Sequence, residues 1–127
     1  MKLVVFISLL FSLLACRPET TLNKKLDGEW KLSTINGEAL PANYSEKLLF
    51  VKDGVEGDIT ITKVENGLTT VKTGIYSLLK SSTMTLAFPN NSSEYPYDTD
   101  VFEINSSTKS ELKLTKTSDP KVFVYLK

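Results

Sequence analysis

From Gly28 onward the apolar residues recur at every second position, and each run stops at a turn signal. Trp30 and Leu32 alternate with Lys31 and Ser33 and lead to Ile35 before Asn36-Gly37. A short apolar run over 48–51 ends at Asp53-Gly54, and Ile59 and Ile61 alternate with Asp58, Thr60 and Thr62 ahead of Asn66-Gly67. The stretch 68–79 is long and β-branched, with Gly74 expected to form a bulge or bend. Met84, Leu86 and Phe88 continue the pattern, as do Phe102 and Ile104, then Leu112 and Leu114, and 121–126 (KVFVYL) is the last run. Period two sends successive side chains to opposite faces of a strand, so each run carries one apolar face. The three Xaa-Gly pairs are hairpin signals. Eight such strands in succession predict an all-β fold, a small antiparallel up-and-down barrel that removes exposed sheet edges. A sandwich of seven or eight strands is the alternative. No window after Cys16 shows a comparable helical period, although 38–47 has room for one turn.

The first residues break this pattern. Lys2 precedes twelve residues, 3–14, in which Ser8 and Ser12 are the only polar members. A membrane-spanning helix needs roughly 20 apolar residues, so this run is too short to span. A basic start, a short apolar stretch and the small Ala15 are the marks of an export signal. Leu13-Leu14-Ala15-Cys16 resembles a bacterial lipobox, with Leu14 where alanine or serine is commoner. That resemblance implies cleavage before Cys16 and acylation, including palmitate-type chains, of the new N-terminal cysteine. One chain anchors only marginally at about 0.8 kcal/mol per methylene, whereas two or three hold durably. An exported protein otherwise gains little from one unpaired thiol. The expected organisation is a signal peptide over 1–15, a polar tether over 16–25 (CRPETTLNKK) and a barrel over 26–127. Arg17 follows the cysteine in place of the aspartate that resembles an inner-membrane retention signal, which points to the outer membrane. The expected location is the cell envelope, with the membrane as a partner through the N-terminal lipid.

Composition excludes several chemistries. With 127 residues the chain is one domain at most. It has 15 basic and 15 acidic side chains and no histidine; loss of Lys2 with the signal leaves 14 against 15. A domain so near neutrality has no electrostatic footprint for nucleic acid. Without histidine the side chain best suited to proton transfer near pH 7 is missing. With the only cysteine assigned to lipid, thiolate and imidazole metal sites are excluded as well. No arginine follows Arg17, so the bidentate fork for carboxylates and phosphates is absent. No catalytic motif, metal site or cofactor is expected, and the chain reads as a binding protein and not an enzyme. Glu94, Asp98 and Asp100 offer oxygens but lack the spacing and glycine of a calcium loop, and read as a solvated loop. The glycosylation-type tripeptides at Asn43, Asn90, Asn91 and Asn105 read as polar turn sequence.

Leu26-Asp27-Gly28-Glu29-Trp30-Lys31-Leu32 resembles the Gly-x-Trp opening of lipocalins and of lipocalin-like domains in bacterial lipoproteins. Gly74-Ile75-Tyr76-Ser77-Leu78 with the strand over 83–88 is similar to their middle hairpin. Phe102-Glu103-Ile104-Asn105 with Glu111-Leu112-Lys113-Leu114 is similar to their closing pair. The resemblance implies an apolar small-molecule ligand and a tryptophan that closes one barrel end against a late arginine. Here either Lys121 or Lys127 replaces that arginine, or the likeness is to the looser lipocalin-like group, which is favoured.

The inward positions expected from alternation are Trp30, Leu32, Phe50, Ile59, Ile61, Tyr76, Met84, Leu86, Phe88, Phe102 and Ile104. They either fill a small core or line a cavity for an apolar ligand. In a meander, alternate connections share a rim, so the loops over 36–47, 64–67, 89–99 and 117–120 are expected together. This rim holds the two longest connections and Tyr44, Tyr95 and Tyr97, and long loops on a rigid scaffold are where binding residues gather. The shorter loops, 52–55, 80–82 and 105–110, and the tether are expected at the opposite, membrane-facing end. Two functions remain open: a lipoprotein binding a small apolar molecule in the barrel or at its long-loop rim, or a filled barrel that binds or braces an envelope protein.

Overall fold

The computed structural model describes residues 18–54, 56–80 and 82–127. The signal peptide and Cys16 lie outside these described residues. A helix, α1 (Pro18–Leu26), precedes nine strands: β1 (Gly28–Ile35), β2 (Glu38–Ala39), β3 (Tyr44–Asp53), β4 (Glu56–Glu65), β5 (Leu68–Leu79), β6 (Thr83–Pro89), β7 (Tyr97–Ser107), β8 (Glu111–Lys116) and β9 (Val122–Leu126). The sheet runs β2-β1-β3-β4-β5-β6-β7-β8-β9, and a further β1–β9 pairing closes it. Eight long strands therefore form a closed antiparallel barrel, and the two-residue β2 is an appendage. It pairs with Thr34 and Ile35 on the edge of β1 that β3 occupies lower down.

Two devices let this chain close. Gly28 to Lys31 pair with β3, while Lys31 to Ile35 pair with β9, with a register shift between Leu32 and Thr34. That bulge changes the phase of β1, so Ile35 rather than Thr34 lies opposite the core residue Phe123. A second shift lies between Ile104 and Ser106 of β7. Asn66 and Gly67 both have positive φ, 52° and 80°, as a two-residue hairpin turn requires. Gly74 is not a bulge, because β4 and β5 pair without interruption on both sides of it. Its missing side chain makes room instead: a Cβ there would lie 2.7 Å from the Phe88 ring and against the Ala87 carbonyl.

The expected arrangement of connections is present. The turns after β1, β4, β6 and β8 share one rim; Asn66 N donates to Asn43 O across it at 3.0 Å, and Asn36 N donates to Val122 O at 2.8 Å. Outward positions such as Glu29, Lys31, Lys47, Asp58 and Lys113 are exposed. Trp30, Phe50, Ile59, Tyr76, Met84 and Leu112 form the densest part of the interior, at the short-loop end. There Phe50 and Tyr76 meet edge-to-face at 5.0 Å.

The segment expected to be a tether is, over its described part, a helix that stoppers this end. Pro18 opens it and Lys24 and Lys25 occupy its last turn, where cations favour the helix dipole. Leu22 and Leu26, four residues apart and so on one face, are buried in the core. Asn23, 1% exposed, donates through Nδ2 to Gly54 O (2.7 Å) and Glu56 O (3.1 Å), and its Oδ1 accepts from the Tyr76 hydroxyl. Trp30 Nε1 donates to Leu26 O at 2.8 Å. Lys127 Nζ lies 4.9 Å from the centre of the Trp30 ring and donates to the carbonyls of Lys25 and Asp27. Lys127, not Lys121, thus takes the cationic place beside the tryptophan. Lys121 is paired with Asp119.

Asn23→Ala would leave two carbonyls and a tyrosine hydroxyl without their partner, and a buried unpaired group costs about 1–3 kcal/mol. Denaturant unfolding should show a loss of about 3 kcal/mol for this variant. Lys24→Ala, on the exposed side of α1, should change stability by less than about 0.5 kcal/mol. Equal effects of the two substitutions would mean that the helix is not docked.

Candidate functional site

The interior has two zones. Following the inward phase of each strand toward the long-loop rim, the apolar residues give way to polar ones. Leu48 and Phe50 of β3 are in phase with Tyr44 and Glu46; Ile59 and Ile61 of β4 with Lys63; Gly74 and Tyr76 of β5 with Thr70 and Lys72. Across the barrel, Phe102 of β7 is in phase with Asp98 and Asp100, and Leu112 and Leu114 of β8 with Lys116. One end is packed and stoppered by α1, and the other is a mouth lined by charged side chains.

Most of these charges are matched. Glu46, 8% exposed, accepts a hydrogen bond from the Tyr44 hydroxyl at 3.1 Å and another from Tyr125. Burial pushes its carboxyl above the ordinary glutamate value, against the opposing pull of Lys63 and the two hydroxyls. Burial first, and then the Glu46 charge, raise Tyr44 to about 12. The same causes hold Tyr125 well above an ordinary phenol. Asp100 pairs with Lys116 at 3.6 Å. Asp98 accepts from Asn90 Nδ2 at 2.8 Å. Among the described residues neither Lys63 nor Lys72 meets a carboxylate within salt-bridge distance; Lys63 stands opposite Glu46 on the neighbouring strand and feels its charge, whereas the Lys72 Nζ lies 5.1 Å from the centre of the Phe88 ring.

A cavity of about 380 Å³ opens here, lined by Ile61, Lys63, Thr70, Val71, Lys72, Phe88 and Asp100. All but Val71 are at inward positions of four successive strands, β4 to β7. The volume lies within the roughly 300–1,000 Å³ of small-molecule sites. A wider depression of about 480 Å³ lies on the rim between Ala42–Ser45 and Val64–Gly67. It is a surface hollow bounded by turn residues, and the barrel cavity is the better enclosed of the two. Among the described residues no group of three or more His, Cys, Asp or Glu could hold a metal ion.

No family model matches the chain, and no curated protein matches it. Among solved structures the chain is similar to a redesigned β-barrel, b11L5F_LGL, with a TM-score of 0.54 and 14% sequence identity, over 88% of this chain and 96% of that one. The likeness shows the fold, a closed antiparallel barrel.

Of the eleven interior positions expected from alternation, Trp30, Leu32, Phe50, Ile59, Tyr76, Met84, Leu86 and Phe88 are buried, and Ile61, Phe102 and Ile104 are half-buried against them. Only Ile61 and Phe88 line the cavity. The three rim tyrosines do not act together. Tyr44 turns inward to Glu46 on β3, whereas Tyr95 and Tyr97 remain 71% and 51% exposed beside β7, four strands away around an eight-stranded barrel. Glu46, Lys63, Lys72, Asp100 and Lys116 were not expected at the site. Their signal was phase: each falls an even number of residues from an inward apolar residue of its own strand.

Because burial raises the Glu46 carboxyl, the folded state holds its proton more tightly than the unfolded chain, and the ionised form costs stability at neutral pH. That cost fades as pH falls through the raised value toward the ordinary 4.5. Glu46→Gln can accept both tyrosine hydroxyls without ionising, so it should melt above the parent at pH 7.5 and converge with it near pH 4.5. A variant that melts lower at pH 7.5, or whose difference does not change with pH, would contradict the reading.

Proposed function

We propose that this protein is an envelope lipoprotein, acylated at Cys16, whose lipocalin-like barrel binds a small apolar molecule through the long-loop mouth. It acts by binding and not by catalysis. The observation that carries this reading is the division of the interior into a stoppered apolar end and an open cavity of about 380 Å³ at the other. A filled barrel would leave no such space, and a ligand entering the mouth would meet Ile61 and Phe88 at its floor. The Trp30–Lys127 contact supports the likeness to lipocalins, with lysine in the place of their arginine.

Two features support the orientation. α1 begins two residues after Cys16 and docks at the short-loop end through Asn23. An acyl anchor at Cys16 would hold that end toward the membrane and turn the mouth away. The second reading, an interaction module for an envelope protein, draws its support from Tyr95 and Tyr97, exposed on the same outward rim.

Native mass spectrometry of the protein purified from its own host in mild detergent should find a retained small molecule of a few hundred daltons. Repeated ligand-free spectra would favour the interaction reading. Cys16→Ala should lose acyl labelling and partition into the soluble fraction; if it stays membrane-bound, the anchor lies elsewhere.

A further inference from the structure

We infer that the mouth reads the head of its ligand: Lys72 binds the carboxylate of a single-tailed amphiphile whose apolar tail lies against Phe88 and Ile61. The inference rests on the cavity reading above and adds the chemical class of the molecule. It follows from the pairing of charges around the opening. Asp100 is held by Lys116 at 3.6 Å, Asp98 by the Asn90 amide, and the buried Glu46 takes two tyrosine hydroxyls and faces Lys63. Of the two lysines in the cavity wall, Lys63 stands opposite the buried Glu46 on the neighbouring strand, whereas Lys72 stands opposite Ile61 and its ammonium sits over an aromatic ring. A cation–π contact holds an ammonium in place without neutralising it. An arriving anion therefore finds a positioned positive charge, while the ring beneath offers apolar surface to the atoms next to the head group.

The same surroundings select the charge of that head group. Asp100 lines the cavity, and Glu46 lies beside Lys63 at its edge. A doubly charged phosphate would meet both acids, whereas a monoanion meets one matched lysine. No arginine is present after Arg17 to provide the fork that favours phosphate. A carboxylate is the head group that fits.

Isothermal titration of the full chain, stripped of bound small molecules, with decanoate, decanol and decyl phosphate separates the possibilities. Decanoate should bind about 10-fold more tightly than decanol, in line with one charge-assisted hydrogen bond. Lys72→Met should abolish that preference, bringing decanoate and decanol to equal affinity, and Lys72→Arg should retain it; circular dichroism confirms that both variants fold. Equal affinity for decanoate and decanol, or a preference that survives Lys72→Met, would overturn the head-group inference and leave the cavity reading standing. Tighter binding of decyl phosphate would overturn the choice of a monoanion. Failure of all three to bind would contradict the cavity reading itself.

Discussion

The structure depends on the closure of β1 onto β9. A single eight-residue strand serves two partners on its two edges, β3 below and β9 above, with a one-residue bulge at Ser33 between Leu32 and Thr34. Closure removes the sheet edges that a meander of this length would otherwise expose. It also fixes what is inside. Once eight strands close, every second residue points to a common axis, and a one-residue slip anywhere would exchange core for surface. The bulge allows this: without it the inward phase set by Trp30 and Leu32 would bring Thr34, and not Ile35, opposite Phe123.

A barrel of eight strands is narrow enough for side chains to fill, yet wide enough to hold one small ligand. This chain fills one end with side chains and leaves a cavity of about 380 Å³ toward the other. Large residues occupy the short-loop end, where Trp30, Tyr76 and Phe50 are essentially inaccessible, and α1 seals it through Leu22, Asn23 and Leu26. Toward the long-loop rim the inward positions become shorter or charged, and charged side chains leave space because their heads seek water or one another. The stoppered end and the open end thus follow from one change of residue type along continuous strands.

Alternation made the barrel and its apolar interior readable from the sequence, because period two is imposed by the strand itself. The pairing of alternate turns on a shared rim followed from topology alone. The helix was harder to read. Leu22 and Leu26 are only two apolar residues, and the third buried member of its face, Asn23, is polar; a pattern search reads such a face as solvated. Its burial depends on carbonyls of Gly54 and Glu56 more than thirty residues away. The site was missed for a related reason. Glu46, Lys63 and Lys72 look like surface residues until closure turns their phase inward, and the exposed tyrosines drew attention to the rim outside it. Gly74, expected as a bulge or bend, instead admits the Phe88 ring of the neighbouring strand β6.

Under the proposed function the long-loop half of the barrel is the binding end and the stoppered half a passive support. Amide chemical-shift mapping of the isotope-labelled chain during addition of a single-tailed carboxylate tests that division most directly. Shifts concentrated at Ile61, Lys63, Thr70, Lys72, Phe88 and Asp100, with α1 and Trp30 unmoved, are the predicted result. Shifts centred on α1 and Trp30, or scattered over the outer faces of the strands, would contradict it.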